Sequence, residues 1–217
     1  MEILVIIEEE IRARSSFLYS KIDSKKTLVQ FSPEFVTEHS SLGTIYETQG
    51  VSGIRTFFEE EFQWHLDGYI RFKLEDLTWA VEKIIPEGIQ FNGGTLSPTE
   101  LQEKMSYRVD ENGEFSVFHR QRALLKSIVK TVGKKQNIFK VPQYLNLLSK
   151  VSETNLNNSQ FFALLKNYSS LQEAPSTKLV IPLPDTYEVQ TQNGKEKVIM
   201  TDSVLNKELL KNLAKDS

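Results

Sequence analysis

The residues able to do chemistry in this chain are arginines and acids, gathered in two places. The first is Tyr107–Leu125, YRVDENGEFSVFHRQRALL, where Arg108 precedes an acidic turn at Asp110–Gly113 and the triplet Arg120-Gln121-Arg122 follows it. Arginine presents a planar fork of donors that fits phosphate oxygens. Arg108, Arg120 and Arg122 therefore form a candidate anion site, with Arg12 and Arg14 as partners from an earlier loop. Successive helical residues point about 100° apart, so Arg120 and Gln121 can serve one ligand only near a helix start. The same arginines also suit a solvated helix face, and residue types alone leave both readings open. The second place is Glu8-Glu9-Glu10, at the end of a first strand. Ligands of open α/β sheets gather outside strand C-termini, and carboxylates there can hold a divalent ion through oxygen. Acids in a row also simply end a strand in water.

The elements that must position these groups can be read from periodicity. Glu2–Ile7 is a continuous β-rich run, as for a strand buried on both faces, with Glu8–Glu10 ending it and Ile11–Ser15 as a loop. Ser16–Asp23 and Thr27–Phe31 flank Ser24-Lys25-Lys26 as a hairpin, and Ser32-Pro33 closes the second strand. His39–Thr48 reads as polar loop. Gly50–Phe62 carries Val51, Ile54, Phe57, Phe58 and Phe62 on one helical face, with Ser52 as its cap. Gly68–Phe72 alternates as a strand, and Leu74–Ile85 is a helix that stops before Pro86. Glu87–Thr95 is turn-rich, and Ser97-Pro98-Thr99-Glu100 opens a further helix. A helix bearing Arg120 buries Leu124, Leu125, Ile128, Val129 and Val132. Asn137–Val151 and Asn158–Tyr168 read as helices, Glu173–Thr177 as a link, and Leu179–Pro184 and Glu196–Met200 as strands around a turn at Gln192–Gly194. Asp202–Leu213 is a capped closing helix. The expected fold is α/β, a mixed central sheet covered by helices on both faces in three layers. No composition break divides residues 1–217, so a single domain is expected.

Composition narrows the function. The 217 residues are 39% hydrophobic and 25% charged, an ordinary globular balance. A net charge of -3 argues against non-specific nucleic-acid binding. The chain has no cysteine, and its three histidines (His39, His65, His119) lack metal-ligand spacing. No stretch reaches the length of a membrane span, and the N-terminal run lacks the features of a signal peptide. There is no dinucleotide fingerprint, phosphate-binding P-loop or nucleophile elbow.

The order of motifs resembles the LytR-CpsA-Psr family of cell-envelope proteins over nearly the whole length. EILVIIEEE takes the place of the family's first strand. Arg14-Ser15-Ser16-Phe17 looks like its arginine-serine-aspartate-threonine loop, Asp23-Ser24-Lys25-Lys26 like its D-P-K-K hairpin, and Phe31-Ser32-Pro33-Glu34-Phe35 like its S-x-P-R-D strand end. Ile45–Gly50, the helix after it and Asp67-Gly68-Tyr69-Ile70-Arg71-Phe72 resemble the A-Y-x-x-G-G and I-D-Y-Y-V-x-V-x-F segments. Tyr107-Arg108, Gly113–Phe115 and Val117–Gln121 resemble Y-x-R-x-R … D-x-G-R-x-x-R-Q. The resemblance implies binding of a polyprenyl (pyro)phosphate in an apolar pocket between sheet and helices. It also implies transfer of wall polymer or capsule from that lipid to peptidoglycan, with magnesium as cofactor.

Carried over residue by residue, the resemblance makes Arg108, Arg120 and Gln121 catalytic, puts Arg14, Arg108 and Arg120 on phosphate, and leaves Glu9 as the metal ligand. The departures are Ser16 for an aspartate, Glu34-Phe35 for arginine-aspartate, and Val117 for an arginine. A glutamate in place of a phosphate-binding arginine costs at least about 1 kcal/mol even in solvent. The expectation is a divergent member that binds a polyprenyl phosphate-linked carrier with weak or lost transferase activity. An active phosphotransferase with an altered ligand set, and an interaction or regulatory domain with no small-molecule site, are the alternatives. The family places such domains on the extracytoplasmic face of a bacterial membrane, behind an anchor. With no anchor upstream, the cytoplasm is the expectation.

Overall fold

The layers are built on β1 (Glu2–Glu9), which pairs antiparallel with β2 (Arg14–Lys21) and parallel with β4 (Gly68–Lys73). Ile3, Leu4 and Ile6 in this strand have no exposed surface, as a strand covered on both faces requires. A computed structural model of the chain describes residues 1–9, 14–21, 26–36, 40–91, 94–106, 121, 141–160, 163, 176–192 and 195–215. With β3 (Lys26–Phe31), β7 (Ser152–Thr154) and β8 (Ser176–Ile181), the main sheet has the order β7-β4-β1-β2-β3-β8. It is mixed: β2 pairs antiparallel with β3, β4 with β7 antiparallel, and β3 with β8 parallel. Two separate hairpins, β5 (Ile89–Phe91) with β6 (Gly94–Leu96) and β9 (Tyr187–Gln192) with β10 (Lys195–Met200), complete the strands among the described residues.

Strand alternation sorts the core into two clusters. Leu4, Ile6, Val29 and Phe31 meet α1 (Leu42–Phe62) and α5 (Ser203–Lys215) on one face. Ile3, Val5, Ile7, Leu28, Ile70 and Phe72 meet α2 (Leu74–Ile84), α3 (Pro98–Met105) and α4 (Val141–Lys150) on the other. This is the three-layer arrangement expected from the sequence. On the α1 face the packing is aromatic: Phe58 stacks on Trp64 at 5.6 Å and meets Phe31 at 5.1 Å, while Phe35 lies 6.1 Å from Phe31. The α2 face is mainly aliphatic.

Several local expectations need correction. The acids do not end β1, because Glu8 and Glu9 continue both ladder and burial, and Arg14 and Ser15 are strand rather than loop. Helix α1 starts within the supposed polar loop, at Leu42, capped by Ser41 rather than Ser52; Ser41 Oγ accepts from the Thr44 amide at 3.2 Å. Gly50, the expected helix start, is instead a kink inside α1, where φ 63° and ψ -153° lie in a region open almost only to glycine. The turn-rich stretch after Pro86 contains the β5–β6 hairpin, β8 begins inside the supposed link at Ser176, and β7 and β9 were not anticipated. Proline and polar residues masked these short edge strands, whose pairing comes from tertiary contacts. The α3 start forms as expected, with Ser97 and Glu100 capping reciprocally. Of the supposed Asn137–Val151 and Asn158–Tyr168 helices, the described parts are α4 and residues 158–160 and 163. Apart from Gln121, the body of the Arg120 helix lies outside the described residues.

Replacing Phe58, which has no exposed surface, with alanine should cost about 3–5 kcal/mol. Trp79 is 47% exposed and touches Lys83 at 5.9 Å, so Trp79→Ala should cost about 1 kcal/mol or less. Urea unfolding of the two variants measures the contrast, and equal losses would contradict the assigned packing.

Candidate functional site

The C-terminal end of β1 divides its acids between the faces. Alternation sends Glu8 to the side of Leu4 and Ile6, under α1, and Glu9 to the side of Ile3, Val5 and Ile7, under α2. Two neighbouring strand residues that point to opposite faces cannot chelate one ion together. The joint acid site anticipated from the sequence is therefore not formed by Glu8 and Glu9.

Glu8 belongs to a polar network on the α1 face. The Tyr46 hydroxyl, on α1, donates to Glu8 Oε1, and Arg71 on β4 approaches the same oxygen at 3.7 Å. Arg71 also meets Glu153 on β7 at 2.5 Å, and the Tyr69 hydroxyl donates to Glu153 at 3.0 Å. One guanidinium thus sits between two carboxylates, and its charge is already answered. Burial, and then the hydrogen bond to Glu8, push the Tyr46 phenol well above its ordinary pKa. Burial and Glu153 raise Tyr69 in the same direction. Glu153 is 52% exposed, so its pair with Arg71 contributes at most about 1 kcal/mol. The network mainly latches a three-residue edge strand to the sheet, aided by Thr154 and Asn155, which bond the backbone of Tyr69.

The α2 face holds the remaining candidates. Glu9 is 6% exposed, and its ladder partner in β2 is Arg14. Gln121, 1% exposed, donates from Nε2 to the Met105 carbonyl at the end of α3, at 2.6 Å. Four buried side-chain oxygens among the described residues have no hydrogen-bond partner: Gln30 Oε1, both carboxylate oxygens of Glu75, and Ser152 Oγ. Gln30 alternates with Leu28 on the α2 side, Ser152 pairs with Phe72 of that side, and Glu75 is in α2 itself. Buried polar atoms ordinarily have partners, so unmet hydrogen-bonding capacity is concentrated in this layer.

The ladder brings the backbones of Glu9 and Arg14, assigned to separate candidate sites in the sequence, opposite one another, and Gln121 bonds to Met105 on the same side of the sheet as Glu9. Arg108, Arg120, Arg122 and Arg12 lie outside the described residues, as does the side chain of Arg14. The chain reading missed Tyr46, Arg71 and Glu153. A signal was available for Arg71: a charge inside the alternating strand GYIRF, next to a central strand, demands a partner on that face. Among the described residues, no three His, Asp or Glu groups come together as a metal cluster, and no helix is long and apolar enough to cross a membrane.

Comparisons with known proteins add the following. Residues 99–211 match the model of the LytR_cpsA_psr family. No curated protein is similar by sequence. Among solved structures, Bacillus subtilis TagV is 16% identical with a TM-score of 0.73, covering 100% of this chain and 96% of its own. Lin1025 from Listeria innocua is also 16% identical, with a TM-score of 0.68 over 99% of this chain and 97% of its own. TagT, solved bound to LI-WTA, is 14% identical with a TM-score of 0.65 over 98% and 89%. At these identities the structural similarity concerns the fold, a mixed α/β arrangement shared along the chain.

Tyr46→Phe removes the hydroxyl bonded to Glu8 and should cost about 1–2 kcal/mol at neutral pH. A tyrosine in the unfolded chain loses its proton near pH 10.0, whereas folded Tyr46 keeps its proton to higher pH. The unfolded state then binds fewer protons, so this contribution is whole below that pH and drains away as pH rises. Urea titrations from neutral pH to pH 11 should show stability falling less steeply above pH 10 in Tyr46→Phe than in the parent. Parallel curves would contradict the assignment.

Proposed function

The chain belongs to the LytR-CpsA-Psr family, linked to attachment of cell-wall glycopolymers, and from that premise we propose that it binds a polyprenyl phosphate-linked glycopolymer carrier while transferring weakly or not at all. The carrier lies on the α2 face, and the concentration there of buried oxygens without partners carries this choice. An aliphatic wall suits a prenyl chain, and free acceptors suit the hydroxyl donors of an attached sugar. Among the described residues the α1 face offers no comparable surface, since its aromatic rings interlock and Glu8 is engaged with Tyr46 and Arg71. Arg14, Arg108 and Arg120 grip the phosphate in this proposal. TagT, whose fold is similar, is bound to LI-WTA, which supports a ligand of the same kind here.

Weak transfer is supported by the residues at the family's S-x-P-R-D position. Phe35, where the pattern has an aspartate, has no exposed surface and packs on Phe31. Glu34 stands where the pattern has a phosphate-binding arginine, with its backbone amide bonded to Ser32 Oγ at 3.1 Å. Neither residue supplies positive charge to a phosphoryl group, the stabilisation that phosphoryl transfer depends on. Of the two described acids at the end of β1, only Glu9 faces the α2 side. Where a divalent ion accompanies the carrier, Glu9 is its ligand. Peptidoglycan is the acceptor partner implied, and the extracytoplasmic face of a bacterial membrane the implied place of work.

Saturating polyprenyl phosphate should raise the melting temperature, since a ligand at a hundred times its dissociation constant stabilises the fold by about 2.7 kcal/mol. Arg120→Ala should reduce the rise. Release of polyprenyl phosphate from a pyrophosphate-linked donor, with magnesium and a peptidoglycan acceptor present, should be slow or undetectable. The absence of any thermal shift would remove the carrier-binding reading. Brisk release, abolished by Arg120→Ala, would establish an active transferase instead.

A further inference from the structure

We infer that one edge of the main sheet, on its α2 side, takes an extended chain of sugar hydroxyls. The inference rests on the carrier-binding reading above and names what the carrier presents there. Strand directions bring the observation together. β1 is parallel to β4, and antiparallel pairing through β2 makes it parallel to β3 as well. These three strands therefore end at one edge, and β7, antiparallel to β4, begins there. Gln30 is the penultimate residue of β3, Glu75 stands two residues beyond the end of β4 in α2, and Ser152 is the first residue of β7. Register fixes the face. Gln30 pairs with Leu18 and Leu18 with Val5, while Ser152 pairs with Phe72 and Phe72 with Ile7. Val5, Ile7 and Phe72 all belong to the core on the α2 side. The oxygens without hydrogen-bond partners, Gln30 Oε1, both of Glu75 and Ser152 Oγ, thus lie along a single edge.

This row has a length and a chemistry. From β3 to β7 there are four strand steps, about 19 Å at the usual spacing. A carboxamide oxygen and a carboxylate accept hydrogen bonds, and a serine hydroxyl gives one and accepts others. An ionised phosphate brings acceptors only, and it meets the Glu75 carboxylate with charge of the same sign. A metal ion needs its ligands gathered at one point, and among the described residues no three His, Asp or Glu groups come together. One carboxylate in such a length does not match a polycation. A neutral oligosaccharide does match, because it offers hydroxyl donors at intervals along its length. Gln30 is 2% exposed, and an unmet oxygen at that depth costs stability that a donor restores on binding. Each oxygen is closed to solvent, so the chain reaches them as the side chains over this edge move aside.

Calorimetry on the full chain tests this with the parent, Gln30→Met and Ser152→Ala, which alter the two ends of the row. The probes are farnesyl pyrophosphate, the same lipid carrying one N-acetylglucosamine or chitotetraose, and free chitotetraose. The tetrasaccharide-linked lipid should bind each variant about fivefold more weakly than the parent, and farnesyl pyrophosphate should bind all three alike. The single-sugar lipid should be weakened by one substitution at most, since one sugar cannot reach both ends. An undiminished tetrasaccharide-linked lipid, an equal loss for farnesyl pyrophosphate, or a single-sugar lipid weakened by both substitutions overturns the inference. Without ligand, both variants should unfold at higher urea than the parent, because each removes an oxygen that nothing serves. Lower midpoints in both would mean that the folded chain itself bonds these oxygens, and would overturn the inference too. If free chitotetraose shows the two losses and farnesyl pyrophosphate does not bind, the edge site stands with a free glycan as its occupant and the carrier-binding reading fails. If farnesyl pyrophosphate binds and attached sugars add no affinity, the edge site fails and the carrier-binding reading stands. Should Gln30→Met fail to fold, Gln30→Leu is read in its place.

Discussion

The two-sided burial of β1 is the constraint from which the rest follows. A strand hydrogen-bonded on both edges and covered on both faces has no freedom of register, because a slip of one residue would exchange its two faces. Glu8 and Glu9 at its end are therefore committed to different layers. One acid joins Tyr46 and Arg71 in a network that fixes α1 and the edge strand β7 to the sheet. The other stands beside the ladder position of Arg14, on the side where Gln121 and the partnerless oxygens lie. The engaged acid and the one on the proposed carrier side are thus separated by the thickness of a single strand.

The two layers differ in what they leave unsatisfied. On the α1 side, rings of Phe31, Phe57, Phe58, Phe62 and Trp64 contact one another at 5.1 to 6.3 Å. Such contacts hold a fold without inviting a ligand. On the α2 side, aliphatic residues surround oxygens that lack partners, a combination that costs stability unless something donates to them. Retaining such groups is characteristic of binding sites. Their placement on the same side of the sheet as Glu9 gives the proposed carrier site a physical basis independent of any likeness between sequences.

Much of the fold was legible because its strongest signals are periodic. The apolar run in β1, the alternation in GYIRF and the Ser97 capping box each specify an element locally. Less legible were the features decided by contacts distant in sequence. Helix α1 begins eight residues before Gly50, in a stretch whose polarity suggested a loop, and burial of Leu42 and Tyr46 together with the Ser41 cap holds it helical. The three-residue β7 has no pattern of its own and exists because β4 offers it an edge. At the candidate site, residue types and the family resemblance pointed to Arg14, Arg108, Arg120, Gln121 and Glu9, but chemistry alone could not assign faces. Only the register shows that Glu8 and Glu9 part company, and only the fold shows that Gln121 spends a donor on Met105.

The central claim is that a phosphate-linked lipid occupies the α2 layer. A polyprenyl phosphate carrying a photoreactive terminal group, bound and irradiated, tests it most directly through mass spectrometric mapping of the labelled peptides. The label should fall on peptides of α2, α3 and α4, and excess unlabelled polyprenyl phosphate should suppress it. Label concentrated on the aromatic peptides of α1, or none that competes away, would contradict the account.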